Sequence, residues 1–179
     1  MDSDFAILAA IASHDGCAVD LAGGLEALGI SLPRSTLYRR VQSLVAGGLL
    51  RAGMERREAR RPRRSVVLTA VGRDWLANAV STLLRTEHLD SPDFALALSC
   101  AGSVDRETLA GVLKPRVAAA ASRLTLEERS LLAAGEGPGD WSQICCERRI
   151  AYLQADISWL ESVLRLSPAP PTGQTSEAS

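Results

Sequence analysis

Residues 33–73 have the sequence Pro33-Arg-Ser-Thr-Leu-Tyr-Arg-Arg-Val-Gln-Ser-Leu-Val-Ala-Gly-Gly-Leu-Leu-Arg-Ala-Gly-Met-Glu-Arg-Arg-Glu-Ala-Arg-Arg-Pro-Arg-Arg-Ser-Val-Val-Leu-Thr-Ala-Val-Gly-Arg73, and this stretch decides the fold. Its apolar residues first recur at helical spacing, and two glycines then predict the end of that helix. Two short apolar runs enclose an arginine-rich loop and predict a hairpin, which a further helical pattern follows. This order of elements predicts a winged helix-turn-helix.

Charge is unevenly distributed along the chain, although the formal net charge is only −1. The interval from Ser31 to Arg73 contains 11 arginines and two acidic residues, a local balance of +9. The other residues include 9 basic and 19 acidic side chains, a balance of −10. This division indicates a basic contact surface on an acidic body and favours a polyanionic partner. The alternative is a solvated arginine loop without a partner.

The predicted fold is mainly α with a small two-stranded β wing. An N-terminal winged helix-turn-helix precedes a helical C-terminal domain. The predicted bounds are 1–88 for the winged-helix domain, 89–166 for the helical C-terminal domain, and 167–179 for a disordered Pro- and Ser-rich tail. Helices are predicted over about 4–13, 17–28, 33–46, 70–87, 93–101, 105–132 and 140–166, and strands over 49–54 and 65–69. Within the sixth helix, Pro115 predicts a kink or a restart, and Thr125 offers a second capping box.

The third predicted helix divides into an apolar side and a polar side. Leu37, Val41, Leu44 and Val45 form the side predicted to be buried. On the other side, Arg39 can bind guanine and Gln42 adenine in bidentate fashion, whereas the hydroxyl groups suit phosphates. Arginines at the hairpin tip suit the DNA backbone or a narrow minor groove. The predicted DNA-binding residues are Ser35, Thr36, Tyr38, Arg39, Gln42, Arg60, Arg61, Arg63 and Arg64.

Three segments together resemble the PadR family of bacterial transcriptional regulators. Thr36-Leu-Tyr-Arg-Arg-Val-Gln-Ser-Leu44 is followed by Gly48-Leu-Leu50 and then by Leu68-Thr-Ala-Val-Gly-Arg73, and the spacing of these motifs is the specific part. The resemblance extends to the C-terminal helices and covers about residues 5–166. It implies that 1–88 is a DNA-binding domain and that 89–166 is a helical dimerisation and effector domain. It further implies a homodimeric repressor that binds a pseudo-palindromic double-stranded DNA operator and releases it when a small-molecule effector binds.

The resemblance also assigns roles to the last predicted helix. An apolar stripe there is expected to build the homodimer surface, through Ile150, Leu153, Ile157 and Leu160. Two tryptophans are candidates for binding the effector. Trp159 either stacks on a planar effector or packs in the dimer contact, and Trp141 is either a lid or a surface anchor. Trp75, in contrast, is expected in the core.

Other function classes lack the residues that they need. The sequence contains no phosphate-binding loop, dinucleotide glycine pattern or nucleophile elbow, so we do not expect an enzyme or a cofactor. The four cysteines lack zinc spacing, and no metal site is predicted. Cys145 and Cys146 are expected to be ordinary buried thiols, with redox sensing as an alternative. Two further alternatives are a winged-helix module that binds an acidic protein without an operator, and a ligand sensor.

No stretch approaches the roughly 20 apolar residues that a membrane span requires. The first residues, Met-Asp-Ser-Asp, are acidic, whereas a secretory signal begins with a basic segment. The sequence therefore predicts a cytoplasmic protein that makes no contact with a membrane.

Overall fold

The computed structural model describes residues 3–13, 21–27, 29–52, 66–134 and 141–166. Its elements divide into two compact units, Met1–Val104 and Asp105–Ser179. The first unit contains five helices and two strands: α1 (Ser3–Ala12), α2 (Leu21–Ala27), α3 (Arg34–Ala46), β1 (Leu50–Ala52), β2 (Val66–Leu68), α4 (Ala70–Thr86) and α5 (Pro92–Ser99). The second unit contains α6 (Arg106–Ala134) and α7 (Trp141–Leu166).

Helix α1 is the centre of the first unit. Every residue from Phe5 to Ile11 is buried, because α2, α3, α4 and β2 all pack against this helix. The surrounding elements add large aliphatic side chains to the same core, namely Leu25, Ile30, Leu37, Leu44, Leu50, Leu76, Val80 and Leu84. A helix surrounded in this way must be apolar on all sides, which is what its Phe-Ala-Ile-Leu-Ala-Ala-Ile sequence supplies.

Strands β1 and β2 form a two-stranded antiparallel sheet in which Leu50 pairs with Leu68 and Ala52 with Val66. Three helices precede this hairpin and α4 follows it, which is the element order of a winged helix-turn-helix. The predicted fold class is therefore confirmed. The helix predicted over 17–28 is observed as Leu21–Ala27, and residues 14–20 and 28 lie outside the described part of the chain.

Helix α5 belongs to the first unit. Ser91 caps the start of this helix, because its hydroxyl oxygen accepts a hydrogen bond from the Phe94 amide at 3.0 Å. The helix packs against α4, as does the 3₁₀ turn Ala101–Ser103 that follows it. Phe94 and Ala97 are buried. The contacts of the described residues thus place this segment with the winged helix, whereas the functional division at residue 88 stays a prediction.

The second unit is a pair of long helices that pack against each other. Asp105 caps α6, as its sequence predicts, by accepting a hydrogen bond from the Thr108 amide at 2.8 Å. The Thr108 hydroxyl donates a second hydrogen bond to this carboxylate and, together with the amide, lowers the pKa of Asp105. Pro115 lies inside α6 without ending it, and Thr125 donates its hydroxyl to the Ala121 carbonyl instead of starting a new helix.

Candidate nucleic-acid interface

Helix α3 begins and ends by different means. Pro33 occupies the N-cap position, and no side chain caps the helix, although the hydroxyl groups of Ser35 and Thr36 are of the kind that caps helices. Both residues lie inside the first turn. At the other end Gly48 has a φ of +73°, and the Leu49 amide reaches back to the Leu44 carbonyl at 3.0 Å. This left-handed residue is favourable for glycine and turns the chain sharply into β1.

Most of the predicted recognition residues project away from the body of the first unit. Ser35, Tyr38, Arg39 and Gln42 are exposed, with 67% of the Tyr38 surface accessible, and Thr36 is half-buried. The opposite side of α3 is anchored by Leu37 and Leu44. The structure therefore brings four of the five predicted α3 residues together on one accessible face.

The predicted buried side of α3 is only partly correct. Val41 is half-buried and Val45 is 41% exposed. Val45 lies seven residues after Tyr38 and three after Gln42, so helical geometry places it beside them on the exposed side. Its exposure was missed because an apolar residue next to Leu44 matched the expected spacing of a buried stripe.

Two of the exposed residues are joined to each other. The Gln42 amide nitrogen Nε2 donates a hydrogen bond to the Tyr38 hydroxyl oxygen at 2.9 Å. The residues are separated by one helical turn, which is the distance at which side chains on a helix meet. The exposed face of α3 therefore carries an ordered polar pair as well as the separate charges of Arg34 and Arg39.

Arg40 has a different role from its neighbour Arg39. Its Nη1 atom lies 3.4 Å from the Asp4 carboxylate of α1, which joins the two helices across the edge of the core. Both side chains are substantially accessible, so the pair contributes at most about 1 kcal/mol to stability. Its main effect is to direct this arginine away from the exposed face of α3.

Thr69 connects the end of the wing to the end of α3. Its hydroxyl donates to the Gly48 carbonyl at 2.6 Å and accepts from the Gly72 amide at 3.0 Å, so one side chain caps α4 and holds the turn after α3. A Cβ atom at Gly72 would collide with the Leu49 backbone carbonyl. The sequence Leu-Thr-Ala-Val-Gly thus lets α4 approach the α3–β1 turn closely, a role that sequence reasoning missed although the motif was noticed.

The predicted wing arginines lie outside the described residues. Arg60, Arg61, Arg63 and Arg64 fall within 53–65, between the ends of β1 and β2. Among the described wing residues, Arg51 is exposed on β1. Arg73, at the start of α4, donates to the Leu68 carbonyl at 3.2 Å. Strand β1 ends at Ala52 and β2 begins at Val66, so the arginine-rich segment lies between these two residues in the sequence.

An open cavity of about 410 Å³ lies in the first unit between the end of α1, β2, α4 and the 3₁₀ turn. Cys100 is part of its lining, and burial raises the pKa of this thiol. Its serine hydroxyls donate to backbone carbonyls, as Ser99 does to Leu96 at 2.7 Å and Ser103 to Cys100 at 2.7 Å. These hydroxyl donors are already used within the fold, and the charged group of the lining is the Arg73 guanidinium.

In the second unit, Glu127 of α6 joins two residues of α7. Its Oε2 atom accepts hydrogen bonds from Arg149 Nε at 3.0 Å and from the Cys146 thiol at 3.5 Å. Cys146 is buried while Cys145 is exposed, so the expectation that both thiols are buried is wrong for Cys145. Loss of hydration and the Glu127 carboxylate raise the pKa of Cys146, which leaves little thiolate at neutral pH.

The predicted dimer stripe lies on the side of α7 that carries Cys146. Leu160 is 1% exposed in the single chain, and the other three residues, Ile150, Leu153 and Ile157, are half-buried. Because Cys146 contacts Glu127, helical spacing directs this whole stripe toward α6. The stripe therefore lies on the α6-facing side of α7, and its role in a homodimer stays a prediction.

The opposite side of α7 carries a second, exposed set of residues. Four of them recur every seven positions and form what we call the α7 seam: Cys145, Tyr152, Trp159 and Leu166. Next to this seam, the Arg148 guanidinium lies 4.7 Å from the centre of the Tyr152 ring. Trp159 is 41% exposed, and Trp141, at the start of the helix, is 78% exposed. Trp75 of α4 is half-buried rather than fully in the core.

The described part of the chain contains no group of three His, Cys, Asp or Glu side chains placed to bind a metal ion. Within the same residues, every helix falls short of the length and apolar character needed for a membrane span.

Comparisons with known proteins give structural likeness alone. No protein-family model matches the chain, and no curated protein matches it significantly. Among solved structures it is similar to Bacillus subtilis PadR in complex with operator DNA, at 17% identity over 92% of this chain and 98% of that chain, with a TM-score of 0.38. It is also similar to Bacillus subtilis PadR in complex with p-coumaric acid, at 19% identity over 91% and 96% of the two chains, with a TM-score of 0.37. These values support no argument about function, and the winged-helix architecture is assigned from the elements described above.

Proposed function

We propose that this protein is a sequence-specific, DNA-binding transcriptional regulator of the PadR type. The observation that carries the proposal is the exposed face of α3, where Ser35, Tyr38, Arg39 and Gln42 project together while Leu37 and Leu44 anchor the helix. A helix of 13 residues is about 20 Å long, which suits insertion into a major groove. Arg39 would bind guanine, and Ser35 and the half-buried Thr36 would contact phosphates near the start of the helix.

The wing supplies the second part of the proposed interface. Its arginine-rich segment adjoins β1 and β2, which Thr69 ties to the end of α3 through the Gly48 carbonyl. Arg60, Arg61, Arg63 and Arg64 would contact the phosphate backbone or the adjacent minor groove. These contacts would supply affinity that depends on salt, whereas α3 would supply most of the sequence preference.

We infer that the regulator acts as a homodimer through the α7 seam rather than through the stripe that faces α6. Tyr152, Trp159 and Leu166 are exposed and recur every seven residues, so they lie along one side of the helix, where a second copy can pack. A second copy would cover these apolar groups on both chains at once. Two-fold symmetry would then place two copies of α3 in successive major grooves, about one helical turn apart on a pseudo-palindromic operator.

Repression and release by a small-molecule effector complete the proposal. Trp159 and Trp141 are the candidate effector contacts, because both rings are accessible in the single chain, and an effector at Trp159 would compete with the second copy for that ring. A planar molecule stacked on either ring would act where the two subunits meet, and so would alter the spacing of the two α3 helices.

Binding of fluorescent DNA duplexes tests the proposal. The full chain would be titrated with fragments selected from the host genome and with random duplexes of equal length, at several salt concentrations. We expect tighter binding to a subset of fragments and a steep fall in affinity as salt increases. Arg61→Ala should weaken binding to all duplexes about equally and reduce the salt slope by about one. Equal affinity for all fragments would favour the alternative of a winged-helix module that binds an acidic protein.

A further inference from the structure

Tyr38 and Gln42 form an isolated hydrogen-bonded pair at the surface of α3. Gln42 Nε2 donates to the Tyr38 hydroxyl at 2.9 Å, and both side chains are exposed. Exposed glutamine side chains usually sample several rotamers, and this hydrogen bond restricts the rotamers available to Gln42. The two residues are adjacent to Arg39, so the pair occupies the middle of the face that the proposed function places in the major groove.

The hydrogen bond uses one part of the Gln42 carboxamide and leaves another part available. A carboxamide has two N–H donors and one carbonyl acceptor. Of these two N–H groups, only the one syn to the carbonyl lies beside Oε1. If Tyr38 accepts the other, the syn N–H and the Oε1 atom remain side by side in the amide plane. Adenine presents the matching pair in the major groove, an N7 acceptor beside an N6 amino donor, whereas guanine presents two acceptors.

We propose that Tyr38 is a positioning residue that holds the Gln42 carboxamide in the orientation that reads adenine. This inference rests on the proposed function and deepens it, because it assigns a base preference and names the residue that maintains it. The Tyr38 hydroxyl keeps its own hydrogen while it accepts from Gln42. It can therefore donate to a DNA phosphate, and such a contact would fix the tyrosine and polarise the hydrogen bond to Gln42.

The pair is specific to these two side-chain types. Phenylalanine at position 38 preserves the ring but removes the hydroxyl oxygen that accepts from Gln42. Alanine at position 42 removes the carboxamide and leaves the tyrosine in place. Because both residues are exposed, neither change creates a cavity in the core formed by Leu37 and Leu44. The two variants therefore separate positioning from reading without a large effect on folding.

The experiment selects binding sites from a pool of random duplexes with the full chain, and sequences the bound DNA. Wild type, Gln42→Ala, Tyr38→Phe and the double variant are compared. Gln143→Ala is the matched control, because Gln143 Nε2 donates to Glu147 one turn away at 3.0 Å on α7. Thermal unfolding of each variant, monitored by circular dichroism, verifies that the fold is retained.

We expect the wild-type motif to contain a position where adenine is preferred and where Gln42→Ala reduces that preference by about tenfold or more. Tyr38→Phe should reduce the preference at the same position by about three- to tenfold and leave the other positions unchanged. The double variant should be no worse than Gln42→Ala at that position, since the tyrosine acts through the glutamine. Gln143→Ala should give the wild-type motif.

Several results would overturn the inference while the proposed function stands. Tyr38→Phe could weaken binding equally at all positions, which would make Tyr38 a phosphate contact only. It could leave the whole motif unchanged, or Gln42→Ala could alter no position, and either result would remove the positioning role. If wild type selects no motif at all, the proposed function itself fails, and this outcome is distinct from a motif that the variants do not change.

Discussion

Helix α3 and helix α7 both present an exposed face, and the two faces have opposite chemistry. On α3 the accessible residues mostly carry hydroxyl, guanidinium and carboxamide groups, and Val45 and Ala46 are the apolar exceptions. On α7 they include Tyr152, Trp159 and Leu166. Polar donors suit a hydrated polyanion, whereas accessible aromatic and aliphatic groups favour contact with another protein. The comparison supports separate roles, DNA binding by the first unit and self-association by the second.

The largest expected effect is a loss of stability in the first unit alone. Gly72→Ala should destabilise the first unit by about 3 kcal/mol, because the added methyl group meets the Leu49 backbone carbonyl, which cannot move aside as a side chain can. Chemical denaturation followed by circular dichroism would measure the change. The α7 seam should be unaffected, so self-association should persist.

Gly111→Ala is the matched control, since a Cβ atom there meets nothing within 4 Å in α6. Removing a glycine from a helix should stabilise the chain by up to about 1 kcal/mol. Equal destabilisation by the two changes would contradict the tight approach of α4 to Leu49.

Trp159→Glu tests the α7 seam. A carboxylate in the centre of a dimer contact would be desolvated beside its counterpart in the second copy, and we expect dimer affinity to fall by about 2–3 kcal/mol. Sedimentation equilibrium over a range of concentrations would measure it. Glu161→Gln is the control, because Glu161 is an exposed residue outside the seam and pairs, among the described residues, with Arg165 four residues later. A Trp159→Glu protein that dimerises like wild type would place the contact elsewhere.

Arg39→Ala tests the exposed face of α3. Loss of a bidentate contact to guanine should weaken operator binding by about 1–3 kcal/mol and relax the sequence preference at one position. Anisotropy titrations with the selected operator and its single-base variants would measure both effects. Arg40→Ala is the comparison, since its guanidinium is directed to Asp4. If Arg39→Ala reduces affinity for operator and random DNA equally, Arg39 contacts the backbone and reads no base.

The smallest expected effect concerns the contact between α6 and α7. Glu127→Gln replaces the carboxylate that pairs with Arg149 and accepts a hydrogen bond from the Cys146 thiol. It should destabilise the second unit by about 0.5–1 kcal/mol. Urea denaturation would detect it, with the exposed Glu128→Gln as a control of equal charge change. No difference between the two variants would show that Glu127 contributes only a surface charge.

The sequence predicted the order and type of the elements because its signals were local. Gly47 and Gly48 ended α3, Asp105 began α6, and alternating apolar and charged segments defined the hairpin. Prediction was less accurate at Pro115 and Thr125, because neither residue starts a new helix, while the kink predicted at Pro115 stays a prediction. α6 continues through both, since packing along α7 stabilises a long helix more than these residues disturb it.

Only part of the candidate site was predicted correctly, again because sequence signals are local. Exposure of Tyr38, Arg39 and Gln42 followed from helical spacing, but Val45 was assigned to the wrong side. The apolar stripe of α7 was identified correctly as a stripe, but an apolar pattern does not state what covers it, and the role of the stripe in a dimer stays a prediction. The roles of Thr69 and Gly72 depend on Gly48 and Leu49, about 20 residues away, so local reasoning could not reveal them.

By itself the sequence determined the helices, the hairpin and the clustering of arginine between Ser31 and Arg73, because hydrophobic period, turn residues and charge are properties of neighbouring positions. Tertiary structure decided which side of α7 is covered, how closely α4 approaches the end of α3, and that Tyr38 and Gln42 meet. Those outcomes depend on which distant groups fill the space beside each side chain, and helical spacing fixes only the angles between side chains on the same helix.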